Sequence, residues 1–160
     1  MLAYVTNLAV LIGINAILAV TLNFILGYAG IFSMAHAMFF GVGAYGAAVS
    51  AMTLGVGFIP ATLVGMGIAA LLSLALALPA LRVRGEYFIA ASLGLQMLAI
   101  TVFAEWKPVT GGIGGLIGIP PAKFLGLPIN NPLEYLVLTL ICLALVLFVI
   151  RALVRSSFGR

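Results

Sequence analysis

The side chains able to do chemistry are few, and they are spread thinly through apolar sequence. His36 is the only histidine and lies three residues after Ser33. An intramembrane hydrolase needs a nucleophile within reach of a base, and Ser33 with His36 alone is thin support for one. A two-histidine metal site is impossible within one chain. Cys142 is the only cysteine, which excludes a disulfide framework and a cysteine metal cluster within one chain. Glu86, Glu105 and Glu134 are the only acids; there is no Asp. All three lie at or near the ends of apolar runs, so no acid sits deep enough to serve as an intramembrane proton relay. Ser92 and Gln96 are four apart, hence on one face of a helix. Asn7, Asn15 and Asn23 recur every eight residues; each step turns a helix by about 80°, so they do not share a face. Such amides commonly hydrogen-bond to a neighbouring helix, and the alternative is that they line a polar path.

The elements that position these groups are membrane spans. Hydrophobic residues make up 65% of the 160-residue chain, and only ten residues are charged, too little polar surface for a domain in water. The apolar runs are about twenty residues long and continuous, which suits helices crossing about 30 Å of hydrocarbon and not the alternating strands of a barrel. The pattern predicts an all-α, polytopic bundle of about five spans. These are roughly 3–26, a run ending near Leu54, 58–81, 87–104 and 133–153. The stretch from Gly27 to His36 is rich in glycine and polar residues, so the second segment is either preceded by a turn or broken or re-entrant.

Small residues recur every four positions: Gly43, Ala47, Ala51 and Gly55, then Ala61, Gly65, Ala69, Ser73 and Ala77. That spacing keeps them on one side of a helix, where they let two backbones approach closely. Pro60 fits a first turn and Pro79 predicts a kink or stop. The net charge of +4 comes from Lys and Arg at span ends. It reads as a topology signal, not a nucleic-acid footprint. An Arg at mid-helix costs about 2.5–3.5 kcal/mol, so the link holding Arg82 and Arg84 belongs at a surface. With the C-terminal Arg151, Arg155 and Arg160, it predicts a cytoplasmic side; the long loop from 105 to 132 is then external, as is the N-terminus if there are five spans. The glycine run from Gly111 to Gly118 lacks the Lys-Ser or Lys-Thr and the preceding strand of a phosphate loop, so ATP binding by that route is not expected. A flexible or tightly turned loop is.

Four segments together resemble the permeases of branched-chain amino acid ATP-binding cassette importers. They are Asn23-Phe-Ile-Leu-Gly-Tyr-Ala-Gly-Ile-Phe-Ser-Met-Ala-His-Ala-Met-Phe-Phe-Gly-Val-Gly-Ala-Tyr45, Leu81-Arg-Val-Arg-Gly-Glu-Tyr-Phe-Ile-Ala-Ala-Ser-Leu-Gly94, Thr110-Gly-Gly-Ile-Gly-Gly-Leu-Ile-Gly-Ile-Pro120 and Arg155-Ser-Ser-Phe-Gly-Arg160. The resemblance implies a non-enzymatic translocation subunit in a bacterial inner membrane. It implies a second homologous permease, two cytoplasmic ATPase subunits that bind the ATP, and a periplasmic substrate-binding protein. Arg155, Phe158, Gly159 and Arg160 would begin the cytoplasmic coupling loop, so residues 1–160 would be the N-terminal part of a permease domain ending before that loop. Members often carry an acid in span four, where this chain has Gln96 and Met97. Pathway polarity would then come from Asn23, Ser33, His36 and Gln96, with no cofactor or metal. Urea and short-amide importers have similar permeases, which leaves the substrate class open. An ion- or proton-driven carrier or channel titrating His36 is the reading from another class, and the lack of buried acids argues against it. A purely structural membrane subunit is a third.

Overall fold

A computed structural model describes residues 2–30, 33–80, 85–124, 127–129 and 131–155. It is a helical membrane protein. Among the described residues, five helices are long and apolar enough to span a bilayer: Ala3–Tyr28, His36–Leu54, Phe58–Leu76, Tyr87–Glu105 and Pro132–Arg155. The helices themselves are α1 (Leu2–Phe24), α2 (His36–Leu54), α3 (Phe58–Ala80), α4 (Gly85–Glu105), the single turn α5 (Lys107–Thr110) and α6 (Pro132–Arg155). A π-helical turn, Ile25–Ala29, extends α1, and Gly30 ends it with a left-handed φ of 63°. The second span is continuous from His36 to Leu54, without a break. The irregular backbone precedes it, in the Gly-rich stretch. Two short antiparallel strands, β1 (Lys123–Phe124) and β2 (Leu127–Pro128), form a small ribbon within the long loop from 105 to 132. The link holding Arg82 and Arg84, and Phe158, Gly159 and Arg160, lie outside the described residues.

The chain divides into two compact units: residues 1–32 with 129–160, and residues 33–128. In the first, α1 packs on α6. The approach is close because Gly13 has no side chain: a Cβ there would lie 2.6 Å from the Thr139 methyl. Thr139 is buried, and its hydroxyl donates to the Tyr135 carbonyl at 2.8 Å, satisfying a polar group that lipid would leave stranded. The start of α6 is capped locally. The Asn131 amide donates to Glu134 Oε1 at 2.9 Å, and the Asn131 backbone N–H reaches Glu134 Oε2 at 3.5 Å, with Pro132 at the first helical position. This is the carboxylate half of a capping box, with the Glu134 N–H going to the Asn131 backbone carbonyl and proline where its missing N–H costs nothing. Asn15 does not bridge helices within its unit; it donates to the Leu11 carbonyl of its own helix at 2.8 Å.

In the second unit α2 packs antiparallel on α3 through small residues. A Cβ on Gly43 would lie 3.6 Å from Ala69 Cβ and 3.7 Å from the Gly65 carbonyl, and one on Gly46 would lie 3.3 Å from Gly65 Cα. Gly65 is the tightest point. A Cβ there would overlap the Gly43 carbonyl oxygen and lie 2.9 Å from the Ala47 nitrogen. Lipid supplies no hydrophobic force between helices, so this backbone proximity is what holds them together. Ser50 and Ala61 are both buried further along the same pair of helices. Gly55 does something else. It ends α2 at φ 61°, and a Cβ there would meet nothing within 4 Å. Its place in the four-residue repeat is therefore a helix stop, not a packing position. Ser73 donates to the Ala70 carbonyl within α3; Ala77 lies in α3, and its side-chain surroundings are outside the described set. Pro60 sits in the first turn of α3, and Pro79 is the last residue but one of the helix as described, Phe58–Ala80.

Candidate functional site

The polar groups singled out from the sequence fall in both units. Asn23 is exposed on the last turn of α1, in the first unit. Ser33, His36 and Gln96 belong to the second, Ser33 and His36 at the entrance to α2 and Gln96 on α4. Ser33 and His36 are half-buried, and His36 opens α2. Between them, the Met34 backbone N–H donates to Ser92 Oγ on α4 at 3.0 Å. Ser92 is 2% exposed, and its own proton goes to the Ile89 carbonyl at 2.8 Å. One serine thus satisfies an N–H at the entrance to α2 and fixes that entrance to α4.

Further along, the same helices meet at Phe103. Its ring packs on Gly41, where a Cβ would lie 2.9 Å from Phe103 Cε2, and against Tyr45 with centroids 4.8 Å apart. Met34 meets Ser92, and Gly41 and Tyr45 meet Phe103, so α2 and α4 run side by side in the same direction. Ser92, Gln96, Ala99 and Phe103 follow helical spacing along the α4 face that meets α2; Ser92 and Ala99 are buried. Gln96 lies one turn beyond Ser92, and its Oε1 is buried without a hydrogen-bond partner. A buried amide oxygen left unpaired costs about 1–3 kcal/mol. The seam therefore holds one strong unused acceptor between a serine whose hydrogen bonds are made and an aromatic cluster.

The sequence did not single out Gly46, Phe103 or the Gly13–Thr139 contact. Gly46 falls outside the four-residue repeat, yet repeats at 43, 46 and 47 are what a helix face of width i, i+3, i+4 requires. Phe103 was one more aromatic in an apolar run. The partner of Gly13 is far away in the chain, and no local signal points to it. At the other end of the chain, Arg155 closes the last turn of α6, where its charge complements the helix C-terminus.

Five apolar spans among the described residues, with backbones brought together through glycine and alanine, define a multi-pass helical membrane protein. The family described as the permease component of the branched-chain amino acid transport system matches residues 4–160, and the chain belongs to it. It is similar to the high-affinity branched-chain amino acid transport system permease protein LivM of Escherichia coli K12, with 27% identity over 177 aligned positions covering 96% of this chain. The LivM protein of Salmonella typhimurium LT2 is 25% identical over the same extent. The chain spans 42% of the length of each of these relatives. No solved structure matches it significantly. Family and spans together make it a multi-pass protein of the inner membrane.

Proposed function

We propose that this chain is the N-terminal part of the transmembrane subunit of an ATP-binding cassette importer for branched-chain or other apolar amino acids. The family match across residues 4–160 carries the reading. The subunit makes and breaks no bonds. Energy comes from two cytoplasmic ATPase subunits that bind ATP, a second homologous permease completes the pathway, and a periplasmic binding protein delivers substrate. The coupling loop begins at Arg155 and continues through Phe158, Gly159 and Arg160.

Asn23, Ser33, His36 and Gln96 supply the polarity of the path. The chemistry of the seam supports this. An apolar amino acid carries its hydrogen-bonding groups at one end and a hydrocarbon side chain at the other. A path with a spare amide acceptor and no fixed charge holds such a solute weakly enough to release it. The glycine contacts between α2 and α3 make an interface without interlocking large side chains, which suits small rocking movements during transport. Specificity then lies mainly with the external binding protein.

The test is uptake of labelled leucine by cells that carry the complete transporter as their only high-affinity route, with unlabelled leucine or urea as competitor. Competition by leucine alone supports the proposal. Competition by urea alone reassigns the substrate to the short-amide class.

A further inference from the structure

The segment after α4 is not a free excursion into water. Trp106 continues the helix, its N–H donating to the Val102 carbonyl at 2.9 Å. The chain then turns back on itself. Thr110 is 2% exposed, and its hydroxyl lies 2.7 Å from the Phe103 carbonyl and 2.8 Å from that of Trp106, sharing its one proton between them; it accepts the Gly112 N–H at 3.2 Å. Gly111 and Gly112 have φ of 74° and 67°, a conformation that favours glycine. A Cβ on Gly112 would lie 3.1 Å from the Ala104 carbonyl, so this turn is seated on the last turn of α4. The result is a compact plug at the end of a helix long and apolar enough to span a bilayer.

Two large apolar side chains project from this plug. Ile113 is 91% exposed and Ile117 is 84% exposed, and Trp106 is half exposed at its base. Such exposure is costly in water and calls for an occupant. A specific protein partner covers about 800 Å² on each side, far more than three side chains spaced by glycines provide. The headgroup boundary needs no such area. Tryptophan favours that depth, and apolar side chains of surface segments bury about 5–10 Å into it.

We infer that Trp106, Ile113 and Ile117 form an anchor that seats the Thr110 turn in the lipid headgroup boundary and so fixes the depth of the α4 terminus. Nothing in this requires a particular substrate or energy source.

Trp106 is the only tryptophan among these 160 residues, so the full-length protein, with any tryptophan outside them replaced by phenylalanine, reports on the anchor from phospholipid vesicles. Its emission is blue-shifted and is quenched more by lipids bearing a nitroxide near the headgroup than by lipids bearing it at the chain end or by aqueous iodide. In a cysteine-free background that includes Cys142→Ala, nitroxides at Ile113→Cys and Ile117→Cys collide with oxygen several-fold more often than with a water-soluble nickel complex. Two results overturn the inference. Preference for the nickel complex or iodide places the turn in water. Nitroxides shielded from both reagents place it under protein.

Discussion

Gly65→Ala adds one carbon at the point where α2 and α3 come closest. That carbon would overlap the Gly43 carbonyl oxygen and lie 2.9 Å from the Ala47 nitrogen and 3.0 Å from Ala47 Cβ. Two of the three neighbours are backbone atoms, which no rotamer change can move. Ordinary contact is about 3.5–4.0 Å, so the helices must separate locally by about 1 Å, which forfeits a quarter to a half of each dispersion contact it opens. Gly43 against Ala69 and Gly46 against Ile68 loosen with it. Overpacking of this kind costs about 1–3 kcal/mol, against which alanine returns up to about 1 kcal/mol of helix propensity. The expected net loss is about 1–2 kcal/mol. Gly67 lies on the same helix, and a Cβ there would meet nothing within 4 Å. Gly67→Ala therefore keeps the propensity gain without the clash and is neutral or slightly stabilising. Reversible unfolding by sodium dodecyl sulfate in mixed micelles, read as the denaturant midpoint, compares the two. Equal midpoints for the two variants, or Gly67→Ala as the worse, would refute packing by backbone proximity.

Gly13→Ala presses on the Thr139 methyl and costs about 1–2 kcal/mol; Thr139→Ser, which keeps the hydroxyl and removes that methyl, recovers most of it in a double-mutant cycle. Thr110→Val leaves two α4-terminal carbonyls and the Gly112 N–H without their shared partner. Hydrogen exchange at residues 111–115 should rise by the factor matching about 1–3 kcal/mol, while exchange in α2 and α3 stays unchanged, and Thr110→Ser should restore protection. Gln96→Leu removes a buried acceptor that has no partner. It should raise the unfolding midpoint by about 1 kcal/mol in free-energy equivalent while lowering leucine uptake; unchanged uptake would remove Gln96 from the pathway.

Much of the architecture was legible because the bilayer imposes a length. The third span was expected over 58–81 and runs Phe58–Ala80, and the others begin and end within about two residues of their expected limits. Pro60 and Pro79 bracket α3 for reasons that act within one turn. The four-residue repeats predicted close packing, and Gly43, Ala47, Gly65 and Ala69 do meet. Gly55 fits the same spacing but ends its helix, because spacing records only where a residue lies on the cylinder and not whether the cylinder still continues there. The Thr110 turn was read only as a flexible or tight loop. Its order comes from one hydroxyl bridging carbonyls four and seven residues back, a pattern with no periodicity to find. For Gln96, one of the proposed pathway residues, the helical spacing from Ser92 was visible, but its unused oxygen depends on what α2 presents opposite it, which no local signal carries.

The central claim is that this polypeptide forms a conduit whose power comes from other subunits. The most direct measurement is leucine uptake into vesicles holding the complete permease pair and the binding protein, with the ATPase subunits and internal ATP either present or withheld. The account predicts uptake only when both are present, unaffected by collapse of the proton gradient at constant ATP. Uptake that persists without the ATPase subunits, or that follows the proton gradient, would contradict it.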